Sequence, residues 1–165
     1  MILIDFTQTI IAGLMAQLKM NDGEVSEDML RHMILNSVRN YQKRYAPEYG
    51  EIVLCTDAPN TWRREFMPLY KANRKKTRDA SDLDWKMLFE TLNTVKEEIK
   101  ENFPYRYMYV ERAEADDIIA ILVKHATEPV MIVSGDKDFQ QLHKYDYVKQ
   151  WSPNLNKLIT CENPD

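Results

Sequence analysis

The sequence predicts a doubly wound α/β domain, and three observations carry that expectation. Four short apolar runs, Ile2–Ile4, Ile52–Cys55, Tyr107–Val110 and Val130–Val133, have the character of strands covered on both faces. Amphipathic helical patterns lie between them, and strands alternating with helices give a mostly parallel sheet with helices on both sides. The length of 165 residues suits a single domain with one proper core.

Each element has its own signal. The first run ends on Asp5, and residues 7–50 hold one short and one long helical segment, so the first crossover is long. In the longer segment Leu30, Ile34, Ser37, Val38, Tyr41 and Tyr45 fall on one stripe of about five turns. After the second run, a helix beginning at Pro68 places Tyr70, Lys71, Arg74 and Arg78 on one arc about 100° wide. Trp85, Leu88, Phe89, Leu92, Val95 and Ile99 form the next stripe, halted before Pro104. A helix from near Ala113 runs through Ile118, Ile119 and Leu122, and Asp136 caps another through Phe139 and Leu142. Tyr147–Trp151 and Lys157–Thr160 flank Ser152-Pro153-Asn154 as a β-hairpin.

Composition narrows the class. With 44% hydrophobic and 29% charged residues the chain is an ordinary globular one. No apolar run approaches the ~20 residues of a membrane helix, and the opening Met1-Ile2-Leu3-Ile4 meets Asp5 too soon for a signal-peptide core. Cys55 and Cys161 read as free thiols, which places the protein in a reducing cytoplasm. His32, His125 and His143 carry no expected site role. The net charge of −4 is unevenly spread: residues 63–78 set seven cations against Glu65 alone, a net +6 that leaves −10 on the remainder. One basic patch on an acidic body suits a phosphate-rich ligand beside a carboxylate-rich site.

The carboxylates follow the strands. Asp5 ends the first run, Asp57 lies two residues past the second, Glu114, Asp116 and Asp117 begin the helix after the third, and Asp136 and Asp138 follow the fourth. Ligands of open α/β sheets bind at the carboxyl ends of the strands. Singly, each acid has a structural reading as a turn, cap or first-turn residue. Jointly, seven carboxylates at one sheet edge repel strongly: two charges ~4 Å apart cost roughly 4 kcal/mol at an effective dielectric of 20. All-oxygen ligands without His or Cys select a hard cation such as Mg²⁺ or Mn²⁺. A pair of such ions hydrolyses phosphodiesters. Tyr70 among Arg63, Arg64, Lys71, Arg74, Lys75, Lys76 and Arg78 suits a strand end, its base stacked and its phosphates neutralised; the plain alternative is a solvated charged helix.

Arg63 through Arg74, with its Tyr-Lys-Ala-Asn-Arg core, resembles the signature of the 5′-nuclease family: flap endonucleases, the 5′-exonuclease domain of bacterial DNA polymerase I and phage 5′→3′ exonucleases. Glu-Ala-Asp-Asp at 114–117 and Gly-Asp-Lys-Asp-Phe at 135–139 follow in the family's order. Cys-Thr-Asp at 55–57, Trp-Arg-Arg at 62–64, Gln-Leu-His-Lys-Tyr at 141–145 and Val-Lys-Gln-Trp-Ser-Pro at 148–153 are most similar to its T-even-phage ribonuclease H branch. The likeness spans essentially the whole chain.

The resemblance implies a PIN-like (resolvase-like) fold with a basic helical arch at about 62–82, and residues 1–165 as its catalytic domain. It implies metal-dependent 5′→3′ exonuclease and flap endonuclease activity with RNase H activity, at the 5′ ends of RNA primers or DNA flaps in replication or repair. Asp5, Asp57, Glu114, Asp116, Asp117, Asp136 and Asp138 match the family's ligands for two Mg²⁺ ions, with Mn²⁺ as substitute. Lys71 and Arg63 match residues that engage the scissile phosphate, and Tyr70 the aromatic that stacks on the terminal base. Implied partners are DNA with 5′ flaps or nicks, RNA–DNA hybrid, and replication proteins such as single-strand-binding protein and sliding clamp. The protein is expected to be a cytoplasmic monomer, in the host cell if it is phage-encoded, without a membrane. Family members continue into a helical DNA-gripping region that adds an Asp to the second metal site. The chain stops at Pro164-Asp165, so an incomplete second site is expected. Two alternatives remain: a PIN-type endoribonuclease, which needs no basic arch, and a non-catalytic DNA-binding module. A haloacid-dehalogenase-type phosphohydrolase fails because Asp5-Phe6-Thr7 lacks the second Asp.

Overall fold

The computed structural model describes residues 1–18, 26–71, 78 and 83–161. In chain order the elements are β1 (Ile2–Asp5), α1 (Phe6–Leu18), α2 (Glu27–Tyr49), β2 (Ile52–Thr56), the single turn α3 (Arg63–Phe66), α4 (Trp85–Asn102), β3 (Arg106–Tyr109), α5 (Ala115–His125), β4 (Val130–Val133), a 3-10 helix (Lys137–Lys144), β5 (Val148–Ser152) and β6 (Lys157–Ile159). They form one six-stranded sheet of order β3-β2-β1-β4-β5-β6, parallel except for the antiparallel β6. This is the doubly wound α/β class that the alternating pattern predicts.

Strand residues divide by parity between two cores. Ile2, Ile4, Ile52, Leu54, Met131 and Val133 pack under α1, α2 and α4. Leu3, Val53, Cys55, Val130 and Ile132 pack under α5 and the 3-10 helix. Helices on both faces are why β1, β2 and β4 read as unbroken apolar runs rather than alternating ones. No helix among the described residues is long and apolar enough to cross a membrane. Both cysteines are free.

Helix α2 is longer than its apolar stripe. It spans 23 residues, with Ser26 Oγ accepting from the Met29 amide at 3.2 Å and Glu27 and Asp28 in the first turn. Its far end is held by Tyr45 and Tyr49 in the core and by Arg44 stacked 3.8 Å over Trp151. Gly50, at φ +80°, then ends it, in a backbone conformation that side chains disfavour. The expected hairpin is present as β5 and β6, and β5 also extends the sheet beside β4.

Three expectations need correction. The third run is not covered on both faces: β3 is an edge strand, exposed at Arg106 and Tyr109 because no strand lies beyond it. The segment after Asp136 is a 3-10 helix, in which residues three apart eclipse, so Phe139 and Leu142 enter the core together. Residues 68–71 form turns, and Lys71 has φ +56°, so no right-handed helix runs unbroken from Pro68 to Arg78. The cause lies in the side chains of Tyr70 and Lys71, which turn inward onto Glu114. Arg74, Lys75 and Lys76 lie outside the described residues.

Candidate active site

The order of the sheet reverses between β1 and β4, and the crevice beyond their carboxyl ends is where such sheets bind ligands. Asp5 closes β1 there, only 4% exposed. Its carboxylate accepts from Ser134 Oγ at 3.3 Å and from the Gln8 amide at 3.4 Å. Burial, then the charges of Asp116 and Asp57, push its pKa up to about 8. Asp57 is exposed past β2 and accepts from the Ala115 amide at 2.8 Å, tying β2 to the start of α5.

The first turn of α5 supplies the next acids because Glu114 is its N-cap and Asp116 and Asp117 follow. Burial and then the charge of Asp136 raise Asp116 to about 6. Asp117 differs: burial pulls upward, but Arg63, the Glu114 amide and Trp62 outweigh it and hold the carboxyl below its ordinary value. Arg63 donates to it twice at 2.8 Å, and Trp62 Nε1 donates at 3.1 Å. Asp136 caps the 3-10 helix by accepting from the Asp138 amide at 3.0 Å, and Asp138 is exposed.

Glu114 is the meeting point of acidic and basic halves. It is 4% exposed, with Lys71 Nζ at 2.8 Å, Tyr70 Oη at 3.0 Å and Arg63 Nη1 at 3.0 Å. The three residues assigned from the sequence to phosphate and base therefore stand on the same carboxylates assigned to metal. Arg64 is exposed on α3, and the Arg78 guanidinium lies 5.4 Å over the Phe89 ring. Among the described residues no group of three or more carboxyl, imidazole or thiol side chains is gathered closely enough to hold an ion. Lys71, Arg63, Tyr70 and Trp62 hold Glu114 and Asp117 instead. The donor set still fits a hard divalent cation: it is all carboxylate, and mutual repulsion helps raise Asp5 and Asp116.

Several supporting residues escaped sequence reasoning. Ser134, fully buried, donates to Asp5 and accepts from the Asp136 amide at 3.1 Å, joining the ends of β1 and β4. Gln8 accepts from the Gly135 amide at 3.3 Å, and a Cβ at Gly135 would sit 3.1 Å from Gln8 Nε2. Gln150 Nε2 donates to the carbonyls of Ser134 and Asp136 at 2.9 and 2.7 Å. Lys96 on α4 is held below its ordinary pKa by burial, against the pull of Asp57. A Ser immediately after a buried strand was the one available signal; Gln8, Gln150 and Lys96 carry none.

Comparison with known proteins supplies the context. The family model described as "5'-3' exonuclease, N-terminal resolvase-like domain" matches residues 1–163. The chain is 43% identical over 168 residues to the ribonuclease H of Enterobacteria phage T4, covering 98% of this chain and 54% of that protein. It is 34% identical over 115 residues to a 5'-3' exonuclease of Streptomyces coelicolor, covering 66% of this chain and 37% of the other. A phage T5 flap endonuclease, solved as a pseudo-enzyme–product complex with DNA and metal ions, shares the fold at a TM-score of 0.74 and 23% identity, over 95% of this chain and 56% of that one. The chain thus spans about half the length of its phage T4 relative.

Proposed function

This chain belongs to the 5'-3' exonuclease family, as its N-terminal resolvase-like domain, and on that premise we propose that it is a metal-dependent 5′ nuclease. Residues 1–165 form its catalytic domain. It hydrolyses phosphodiester bonds near the 5′ ends of RNA primers or DNA flaps, with RNase H activity on RNA–DNA hybrid. The observation that carries the reading is the meeting of Arg63, Tyr70 and Lys71 with Glu114 and Asp117 at the rim of a crevice where burial and then like charge raise Asp5 and Asp116.

Asp5, Asp57, Glu114, Asp116, Asp117, Asp136 and Asp138 are the residues that would hold two Mg²⁺ ions, or Mn²⁺ in their place. When bound, the ions supply an activated water and neutralise charge on the departing oxygen. Ser134 and Gln8 hold Asp5 and the 134–136 turn in place, so that the acids of β1 and β4 keep their spacing. Lys71 and Arg63 transfer from carboxylate to phosphate and stabilise the charge that develops there. Tyr70 offers its ring to the terminal base, and Arg64, Arg74, Lys75, Lys76 and Arg78 hold the backbone of the strand. The protein acts as a monomer in the host cytoplasm, alongside single-strand-binding protein and sliding clamp.

The deciding experiment is cleavage of labelled 5′-flap, nicked and RNA–DNA substrates in Mg²⁺ or Mn²⁺. Products released from the 5′ end, and their loss in Asp116→Asn, are expected. Binding without turnover at every metal concentration would make the chain a DNA-binding module instead.

A further inference from the structure

Beside the crevice the chain displays an apolar surface that neither the carboxylates nor the cations explain. Phe66 is 76% exposed and Leu69 85%, with Met67 and Trp62 about half so. Large apolar side chains grouped in the open mark a binding surface more often than a fold requirement. The mount beneath them is firm. The Trp62 amide donates to the Arg112 carbonyl at 2.8 Å, the Ala58 amide to Ala113 at 2.9 Å and the Met67 amide to Arg63 at 2.9 Å. Arg112, at φ +64°, pairs with Glu65 at 2.6 Å. The Trp62, Ala58 and Glu65 contacts fasten α3 to the turn that leads into Glu114, and the Met67 bond closes α3 on itself.

The rings are also oriented. Trp62 spends its one polar atom on Asp117 and carries the Arg63 guanidinium 4.7 Å over its ring. Phe66 meets Trp62 edge to face, with centroids 6.2 Å apart and planes at 70°. Phe66 therefore stands one side chain away from a carboxylate of the crevice, supported at its edge and otherwise open to solvent. Arg63, Arg64 and Lys71 flank it in sequence. An exposed ring on a rigid mount among cations is the arrangement that stacks bases of a single strand while neutralising its phosphates.

We propose that Phe66, buttressed by Trp62, is a second base-stacking platform that receives an unpaired nucleobase of the substrate strand, apart from Tyr70. Phe66 is a positioning residue: it orients the strand and touches no reacting atom. The proposal rests on the nuclease reading of the crevice.

The test uses the whole chain and a fluorescent single-stranded oligonucleotide in Ca²⁺, followed by anisotropy, and then 5′-flap cleavage in Mg²⁺. Phe66→Ala and Phe66→Leu should weaken binding about tenfold, the scale of one lost base stack, and raise KM rather than lower kcat. Phe66→Tyr, which keeps the ring, should stay within about twofold of the parent, and melting temperatures should not move because the side chain is exposed. A single abasic site at the stacked position should weaken the parent by the same factor and leave Phe66→Ala no weaker still. Parent-like binding by Phe66→Leu overturns the proposal, as does an abasic scan that never lowers parent affinity; the patch then serves a protein partner. If the parent cuts normally while Phe66 variants are unchanged, the platform alone falls. If the parent neither binds nor cuts, the nuclease reading falls with it.

Discussion

On the proposed nuclease reading, Lys71 is the residue on which binding, chemistry and stability meet. Its ammonium lies 2.8 Å from the nearly buried Glu114, and it adopts the left-handed backbone region to get there. Removing one member of a buried ion pair leaves the other charge uncompensated, which costs a few kcal/mol. Arg63 and Tyr70 still reach Glu114, so a smaller loss, about 1 kcal/mol, applies to Lys71→Ala. The variant is expected to melt lower than the parent without metal and to close that gap in millimolar Mg²⁺. It should also slow flap cleavage strongly while weakening DNA binding modestly, if the proposed role holds and the lost charge acts on the transition state. Calorimetry and single-turnover kinetics on one preparation check both halves. Equal losses in affinity and turnover would reduce Lys71 to an electrostatic tether.

At the scale of elements, the strands and their following acids were legible because each signal was local. An apolar run covered on both faces, as at β1, β2 and β4, is hard to mistake, and Asp5, Asp57, Glu114 and Asp136 sit within two or so residues of a strand end or helix cap. What failed to show depends on partners distant in sequence. Lys71 ends the helix expected from Pro68 because Glu114, 43 residues away, holds its side chain; periodicity cannot register that. Ser134 owes its role to Asp5, 129 residues back, and Gln150 reaches the 134–136 turn only through the pairing of β4 and β5. Two predictions belong here. Gly50→Ala places a side chain at φ +80° with open space around it, so the cost is backbone strain of about 1–2 kcal/mol. Denaturant titration should show that loss with cleavage unchanged, since Gly50 lies at the opposite end of β2 from the crevice. Lys75→Ala and Lys76→Ala, in the basic stretch, should each flatten the dependence of log Kd on log salt by about 0.7–0.9. An unchanged slope would take those lysines off the phosphate backbone.

Across the whole molecule, charge is sorted rather than spread, and the sorting makes stability depend on pH and metal together. Asp5 and Asp116 have folded pKa values of about 8 and about 6, both above their ordinary 3.8. Between those limits the folded protein holds more protons than the unfolded chain, so their contribution is full below pH ~4 and is lost as pH rises through 6 and 8. Asp117 works in the opposite sense: its depressed pKa gives stability that is present at neutral pH and lost in acid. The metal-free protein should therefore be most stable near pH 5 and melt progressively lower toward pH 8. On the proposed reading a divalent cation binds the ionised carboxylates, so its stabilisation grows over the same interval. At a hundred times Kd it adds about 2.7 kcal/mol, enough to flatten the trend. Asp136→Asn supplies the control, since it removes the charge that, after burial, does most to raise Asp116, while an Asn still caps the 3-10 helix. Melting curves at pH 5, 6.5 and 8, with and without Mg²⁺, should show a falling line for the metal-free parent, a shallower one for metal-free Asp136→Asn, and a flattened one for the parent in metal. Parallel lines in all three would mean that the crevice does not hold its carboxylates against their own repulsion, and the assignment of Asp5, Asp116 and Asp136 to one metal centre would fail.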